Sequence, residues 1–175
     1  MSERCPVCGL DYDTITAPDA IVAVRSFPRR YREAFGILED EEDPGTQVRR
    51  RPEPQTWSAL EYAAHVRGVV QLFDTRVRRA LVEDSPTVES VPLDENPWEG
   101  HDATDDLDTV LAGLADACDR FVTTLERVEG EEWNRTVVRA GEELTVLWMA
   151  RNTVHEGAHH LRDVQQVLRA VRGRV

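Results

Sequence analysis

Four long segments of this 175-residue chain carry apolar residues at helical spacing. They cover roughly residues 17–35, 58–82, 104–128 and 145–171, and connections rich in proline, glycine and charge separate them. The third segment places its apolar side chains three or four residues apart, on one helix face: Leu107, Leu111, Leu114, Cys118, Phe121 and Leu125. No series of strand-like segments accompanies them. The sequence therefore predicts an all-α fold, a four-helix bundle.

Local signals mark where these helices begin. Pro18 stands in the first turn of the first segment, where proline is tolerated best. Ser58 and Glu61 have the spacing of a capping box at the start of the second. The charge and proline content of residues 39–54 and of residues 85–102 predicts loops between the helices.

The first sixteen residues form a short unit with a chemistry of their own. We expect an N-terminal CxxC segment at residues 1–16, followed by the bundle at residues 17–175. Inside the bundle, Thr136-Val137-Val138 is expected to be extended, between the third and fourth helices.

The charge of the chain restricts its partners. With 33 acidic and 21 basic residues the formal net charge is -12, which argues against a sequence-independent grip on nucleic acid. No signal-peptide pattern and no run of 18 apolar residues is found, so no membrane association is expected. The odd number of cysteines, three, fits a reducing compartment. These features predict a cytoplasmic protein.

The stretch HEGAHH near the end of the chain spells the zinc-protease pattern H-E-x-x-H from His155 to His159. Zinc proteases take a third ligand from further along the chain. Here no His or Glu follows His160, and the position of the expected glycine holds Arg162. We therefore do not interpret this stretch as a protease site.

Two histidines of this stretch nevertheless have the spacing of a metal half-site. His155 and His159 lie four residues apart, so on a helix both project from one face, between the apolar and the polar stripes. His65 occupies a similar rim position on the second helix. These three predict a metal site at an open end of the bundle, with a free coordination position. His160 and His101 are expected to be solvated or satisfied elsewhere.

The N-terminal CPVCG stretch has the spelling of a zinc knuckle, with Cys5 and Cys8 as thiolate ligands and Gly9 allowing the turn. One knuckle supplies only half of a tetrahedral site, because Cys118 is predicted to be a buried apolar residue. The knuckle could pair with its copy in a second subunit or recruit a His or Asp. Two alternatives remain: Cys5 and Cys8 form a redox-active dithiol, or the segment has neither a metal-binding nor a redox role.

Two stretches together resemble the DinB/YfiT-like superfamily: W-S-x-x-E-x-x-x-H, which ends at His65, and H-x-x-x-H-H-L-R-D-V, which begins at His155. The resemblance covers roughly residues 17–171. It implies a four-helix bundle that binds a divalent metal through one ligand on helix two and two ligands four residues apart on the last helix. Carried onto this chain, those ligands are His65, His155 and His159.

The resemblance also implies an activity. Characterised members look like metal-dependent S-transferases that use bacillithiol, mycothiol or glutathione, and some isomerise maleylpyruvate. The chain contains no lysine; if this bias reflects a high-GC actinobacterium, mycothiol is the expected thiol. Zinc is the first candidate metal, with Ni, Mn or Fe as others. In mycothiol-dependent isomerases the late pair is E-x-x-x-H, whereas His155 occupies the first place here, and no Arg-Gly-Gln follows the last ligand.

Other charged residues near the predicted site receive alternative roles. Glu156, on the polar stripe of the last helix, or Glu61 is a candidate general base or orients a ligand imidazole, and the alternative for each is a solvent-facing helix charge. Arg151 and Arg162 could bind a substrate carboxylate, or lie on the helix surface. The expected partners are a small thiol, an electrophile and a second copy of the chain. The alternative function is a non-catalytic, stress-associated metal-binding protein whose dimer is tied by the N-terminal knuckle.

Overall fold

The computed structural model describes residues 4–38, 42–91 and 105–172. The α-helices of these ranges are α1 (Ala17–Phe35), α2 (Pro44–Arg49), α3 (Ala59–Val82), α4 (Leu107–Leu125) and α5 (Val146–Val171). The strands are β1 (Thr87–Val88), β2 (Thr136–Arg139) and β3 (Glu142–Thr145). The predicted four-helix bundle is confirmed, with α1, α3, α4 and α5 as its helices.

The starts of the bundle helices follow the predicted signals. Ser58 accepts a hydrogen bond from the backbone N–H of Glu61, and the Glu61 carboxylate accepts one from the N–H of Ser58, which completes the capping box. Thr16 and Asp19 form the same arrangement at α1. Each box satisfies backbone donors that the first helical turn would otherwise leave unpaired.

One segment predicted as a loop contains a helix. Within residues 39–54, the structure has the six-residue helix α2. The Asp43 side chain accepts a hydrogen bond from the N–H of Thr46, and Pro44 occupies the first helical position. The prediction of a loop was wrong here. The charge and the prolines of this stretch were read as loop signals, although Asp43 and Pro44 are the N-cap and first residue of a short helix.

The extended stretch predicted at residues 136–138 belongs to a larger sheet than expected. Strand β2 pairs antiparallel with β3, and β1 pairs parallel with β2. Ala140 and Gly141 join β2 to β3, both with positive φ, as the tight hairpin turn requires. The hairpin leads directly into α5, since the Thr145 side chain caps that helix by accepting from the N–H of Trp148.

Helix α3 lies between α4 and α5, and α1 closes the bundle against the same two helices. The largest fully buried side chains include Phe27, Tyr31, Phe73 and Phe121. Burying one large apolar side chain contributes on the order of 1.5–3 kcal/mol. Cys118 is fully buried among them, and burial raises the pKa of its thiol to about 12, which confirms the prediction of an apolar role.

Gly157 lets α1 and α5 approach each other closely at the level of the HEGAHH stretch. A Cβ at this position would lie 2.2 Å from Cε2 of Phe27, far inside van der Waals contact. The Tyr31 hydroxyl donates a hydrogen bond of 2.9 Å to the Gly157 carbonyl oxygen. These contacts fix the depth and rotation of α5, and so the directions in which its histidines project.

Some predictions fall outside the described ranges. His101 and residues 92–102 of the second predicted loop lie there, as does the residue predicted to start the third helix. The boundary between the N-terminal segment and the bundle stays a prediction. Across the ranges that are described, none of the helices has the length and apolar character needed to cross a membrane.

Candidate metal centre

The histidines and the glutamate of the HEGAHH stretch belong to three groups of metal-ligating residues within the described ranges, and the third of these, His159, His160 and Asp163, shares one histidine with each of the other two. In each group the ligand atoms lie within 4.8 Å of one another. The first, which we name the His2Glu group, consists of His65, Glu156 and His160. The second, the Cys2His2 group, consists of Cys5, Cys8, His155 and His159.

The three predicted ligands are therefore not gathered in one place. His65 belongs to the His2Glu group, while His155 and His159 belong to the Cys2His2 group. The residues that do meet His65 are Glu156 and His160, each one position later in the chain. A step of one residue turns a helix by about 100°, so α5 directs the two sets of ligands toward different neighbours.

In the His2Glu group the two imidazoles flank a single carboxylate oxygen. Nε2 of His65 lies 3.4 Å from Oε2 of Glu156, and Nε2 of His160 lies 3.4 Å from the same atom. The two rings stand nearly perpendicular, with centroids 4.8 Å apart. His65 reaches this point from the buried face of α3. Three donor atoms thus converge from two helices.

Asp163 fixes the ring of His160. Its Oδ2 lies 2.9 Å from Nδ1 of His160, close enough to accept a hydrogen bond from the Nδ1–H, and this places Nε2 on the side of Glu156. A carboxylate behind an imidazole is the arrangement that orients histidine ligands in metal sites. Burial lowers the pKa of His160, but the contacts with Asp163 and Glu156 outweigh it and raise that pKa to about 9.

Glu156 is ionised in this surrounding. Burial favours the neutral acid, yet the contacts with His155, His160 and His65 outweigh it and hold the pKa of the carboxyl well below its ordinary range. Its second oxygen, Oε1, lies 3.3 Å from Nδ1 of His155. The Glu156 carboxylate therefore touches both groups, and it is not the solvated helix charge that its position on the polar stripe indicates.

Two aromatic side chains cover the His2Glu group. The Trp57 ring lies 5.2 Å from the His65 ring between centroids, and the Tyr62 ring stacks on His160 at 5.2 Å. The two aromatic rings also contact each other at 5.3 Å. Their apolar surface lowers the access of water on this side, which strengthens the electrostatic interactions inside the group.

Glu61 contacts Arg51 and Ser58 rather than the residues of the His2Glu or Cys2His2 groups. Besides capping α3 at Ser58, its carboxylate accepts two hydrogen bonds from the Arg51 guanidinium, one of them 2.9 Å from Nε to Oε2. Burial alone would raise its pKa, but Arg51 and the Ser58 cap lower it. These contacts account for Glu61 structurally. The acidic residues beside the predicted histidines are Glu156, which contacts His65 and His155, and Asp163, which contacts His159.

The Cys2His2 group joins the N-terminal segment to α5. The CPVCG turn is closed by the N–H of Gly9 donating to the Cys5 carbonyl oxygen at 2.9 Å, with Gly9 at φ 77°. Sγ of Cys5 lies 3.7 Å from Nδ1 of His159. The backbone N–H of Cys8 is the main cause that lowers the pKa of the Cys5 thiol to about 5, while burial raises the pKa of Cys8.

Both arginines considered for substrate binding hold the N-terminal segment instead. Nη1 of Arg162 donates to the carbonyl oxygen of Val7, inside the CPVCG turn, at 3.0 Å. Nε of Arg151 donates to the carbonyl oxygen of Ile15 at 2.8 Å. A third, buried contact lies nearby, where the Tyr12 hydroxyl donates to Oδ1 of Asn152 at 2.7 Å. The segment is thus attached along the polar stripe of α5.

The sequence reasoning did not place His160 and Asp163 beside the predicted ligands. A signal for them was present, since Glu156 and His160 have the E-x-x-x-H spacing and an acid follows His160 three positions later. The helical wheel assigned this side of α5 to solvent. The structure shows that the N-terminal segment, α3 and Trp57 cover it.

The comparisons with known proteins agree with this architecture. Residues 24–164 match the family model of the DinB superfamily. The solved structure of YfiT from Bacillus subtilis, described as a probable metal-dependent hydrolase with an unusual four-helix bundle topology, is similar with a TM-score of 0.76. The alignment covers 95% of this chain and 93% of that chain at 16% identity, a likeness that shows the fold. Among curated proteins no match was found.

Proposed function

The chain belongs to the DinB superfamily, and from that premise we propose that it is a divalent-metal-dependent enzyme that activates a low-molecular-weight thiol. The thiol is transferred to a small electrophile or used to isomerise one. The observation that carries the proposal is the His2Glu group, in which Nε2 of His65 and Nε2 of His160 each lie 3.4 Å from Oε2 of Glu156.

The donors of this group fit a divalent ion. Two imidazole nitrogens and one carboxylate form the donor set of known catalytic zinc sites, and the same atoms suit Ni, Mn and Fe. Asp163 holds the Nδ1 side of His160, so Nε2 faces Glu156, and metal binding would displace the proton from Nε2. The anionic Glu156 balances part of the charge of the ion. We therefore assign Glu156 to metal binding rather than to general base catalysis.

Three protein donors leave a position open for an exogenous ligand. When bound, a divalent ion with such a position stabilises the thiolate form of a thiol, which is the nucleophilic form at neutral pH. The residues of this chain position and shield the site. Trp57 and Tyr62 exclude water on one side, and Asp163 fixes the orientation of the His160 ring.

The spacing of the late pair supports a thiol of the mycothiol type. Glu156-x-x-x-His160 has the E-x-x-x-H form that the resemblance assigns to mycothiol-dependent isomerases. The sequence comparison placed His155 where the mycothiol-dependent isomerases have a glutamate. If the ligand pair is Glu156 and His160 rather than His155 and His159, that difference from the isomerases disappears. Zinc and mycothiol remain parts of the proposal, as does a homodimer.

The test is a thiol-transfer assay with the metal-loaded protein. Mycothiol, bacillithiol and glutathione are each offered with 1-chloro-2,4-dinitrobenzene, and isomerisation of maleylpyruvate is followed in parallel. The variants are His160→Ala, which removes a ligand of the His2Glu group, and Cys118→Ala, a matched control in the core away from both groups. Bound metal is measured on every sample.

We expect turnover with at least one thiol, its loss in His160→Ala together with one metal ion, and its retention in Cys118→Ala. Turnover that His160→Ala leaves unchanged contradicts the proposal. YfiT is described as a probable metal-dependent hydrolase, so ester and amide substrates are assayed as well. If the protein hydrolyses one of these substrates in a metal-dependent reaction but transfers no thiol, the proposed reaction is wrong, and the His2Glu group is a hydrolase site.

A non-catalytic metal-binding protein is the second candidate, and one observation favours it. The Cys2His2 group offers four protein donors, which is the closed arrangement of structural zinc sites. A chain whose metal is held only there would have no open position for a substrate. Metal bound at the Cys2His2 group alone, with no turnover in any assay, would support this candidate over the enzyme.

A further inference from the structure

We propose that Cys5, Cys8, His155 and His159 bind one zinc ion within a single chain, in a closed structural site distinct from the His2Glu group. The sequence shows only two ligands of the zinc knuckle, Cys5 and Cys8. In the structure, His155 and His159 on α5 lie beside them and would complete the set of four. The site needs no second subunit. It stands independently of the enzymatic proposal, because its ligands are separate from those of the His2Glu group.

The distances fit a tetrahedral ion. All four ligand atoms lie within 4.8 Å of one another. With bonds of about 2.3 Å to sulfur and about 2.0–2.1 Å to nitrogen, a tetrahedral zinc ion separates a sulfur and a nitrogen ligand by about 3.6 Å. Sγ of Cys5 and Nδ1 of His159 are 3.7 Å apart. A modest contraction of the remaining pairs completes the site.

Among the described residues, the ring nitrogens of His155 are buried without a hydrogen bond, and a zinc ion would be a partner for one of them. Both ring nitrogens are shielded from solvent, and neither makes a hydrogen bond of acceptable geometry within the described ranges. Nδ1 is 3.3 Å from Oε1 of Glu156, a contact without that geometry. Shielded polar atoms of this kind are costly unless they are satisfied. Coordination through one ring nitrogen would remove the cost for that atom, and the Glu156 carboxylate lies beside Nδ1.

The CPVCG turn is shaped to hold thiolates. Gly9 adopts a positive φ, which side chains other than glycine rarely tolerate, and its N–H closes the turn on the Cys5 carbonyl oxygen. Cys5 and Cys8 are separated by two residues of this turn, the spacing of a zinc knuckle, and neither thiol is fully buried.

An ion here would attach the N-terminal segment to the bundle. The part of the segment that is described, residues 4–16, has little core of its own: Tyr12 is its one buried apolar side chain, and Val7 is 64% exposed. Hydrogen bonds to Arg151, Asn152 and Arg162 supply further attachments. Zinc binding therefore contributes folding free energy to this segment, and it restrains His155 and His159 beside the ligands of the His2Glu group.

Cobalt(II) substitution combined with metal counting tests the site. The full-length protein is stripped of metal under reducing conditions and titrated with cobalt, while the thiolate-to-cobalt charge-transfer band and the d–d bands of a tetrahedral centre are recorded. The variants are Cys8→Ser and His159→Ala, each of which removes one ligand. His65→Ala, which disrupts only the His2Glu group, and Cys118→Ala, which removes the remaining thiol, are the controls.

We expect the wild type to show the tetrahedral thiolate spectrum, saturating at one such centre per chain. The spectrum is weakened or lost in Cys8→Ser and His159→Ala, and kept in His65→Ala and Cys118→Ala. Competition with zinc should abolish it.

Three results overturn the proposal. Saturation at half an ion per chain, with no effect of His159→Ala, indicates a four-thiolate site between two copies. A thiolate spectrum that His65→Ala abolishes places Cys5 and Cys8 in one site with the His2Glu group. Wild type that shows no thiolate band, with Cys5 and Cys8 fully reduced, excludes the site. All three readouts are independent of turnover, so failure here leaves the thiol-transfer assay to be judged separately.

Discussion

His159 and His160 are neighbours in the chain, and although they belong to the Cys2His2 and the His2Glu group respectively, both also lie beside Asp163, with ring centroids 5.2 Å apart and planes at 72°. Oδ2 of Asp163 lies 2.9 Å from Nδ1 of His160 and 3.6 Å from Nε2 of His159. Glu156 makes a similar connection, with one oxygen toward His65 and His160 and the other toward His155. Two carboxylates therefore join the candidate sites.

Asp163 is expected to act as a positioning residue for His160. Replacing it with alanine removes the acceptor that fixes the imidazole, so divalent-metal affinity at the His2Glu group should fall by about 10–100-fold. Titration with zinc in a competing chelator measures the change, and circular dichroism checks that the helices are retained. The control is Asp116→Ala, an exposed position on α4. Equal affinities for wild type and Asp163→Ala would show that the contact with His160 has no positioning role.

Gly157 should tolerate no side chain. In Gly157→Ala the new Cβ would overlap the Phe27 ring, and relief requires α1 and α5 to separate, at a cost of about 1–3 kcal/mol in the free energy of unfolding. Gly68→Ala is the matched control, because a Cβ there meets nothing within 4 Å on the exposed side of α3. That change should stabilise the protein by about 0.5–1 kcal/mol. Urea unfolding of both variants measures the difference, and a neutral Gly157→Ala contradicts the close approach.

Glu61 should make stability depend on pH. Its pKa in the folded chain is lowered, chiefly by Arg51 and the Ser58 cap acting against burial. A carboxyl with a lowered folded pKa stabilises the protein above its unfolded pKa, near 4.3, and this contribution is lost as the pH falls through the folded pKa. Glu61→Gln should therefore cost about 1–2 kcal/mol at pH 7, and the difference from wild type should shrink below about pH 4.

Denaturant unfolding of wild type and Glu61→Gln across this pH range measures the effect. Glu33→Gln, in an exposed ion pair with Arg29 on α1, is the control and should change stability by less than about 0.5 kcal/mol. A Glu61→Gln deficit that stays constant between pH 7 and pH 3 would mean that the charge of Glu61 contributes nothing.

The three cysteines should differ in reactivity. Cys118 is fully buried and burial raises its pKa to about 12, so a thiol reagent should not modify it in the folded protein. In the metal-free folded protein the reagent should modify only Cys5 and Cys8. Unfolding in denaturant should make Cys118 reactive as well. Mass spectrometry after brief alkylation assigns each modification. Rapid alkylation of Cys118 under native conditions would contradict the packing of α4.

The four bundle helices could be predicted from the sequence because their signals are local. The capping box of Ser58 and Glu61 and the apolar face that includes Cys118 depend on residues three or four positions apart. Residues 136–138 were expected to be extended, but the strand pairing could not be predicted. Strands β1 and β2 are short, and their pairing joins Val88 to Arg139 across a long stretch of chain.

The candidate site was predicted only in part for a similar reason. Spacing alone showed that His155 and His159 share a face of α5, and it placed His65 on α3. It could not show that the N-terminal segment lies on that face and takes both α5 histidines into the Cys2His2 group. The wheel treated the neighbouring stripe, with Glu156, as solvated, although tertiary contacts cover it.

The central claim is that each chain holds two distinct metal sites whose ligands interleave on α5. An anomalous difference map at the zinc edge, from crystals of the zinc-loaded protein, tests it most directly. The account predicts two peaks per chain, one enclosed by the Cys2His2 group and one bounded by the His2Glu group. A single peak bounded by His65, His155 and His159 would contradict it.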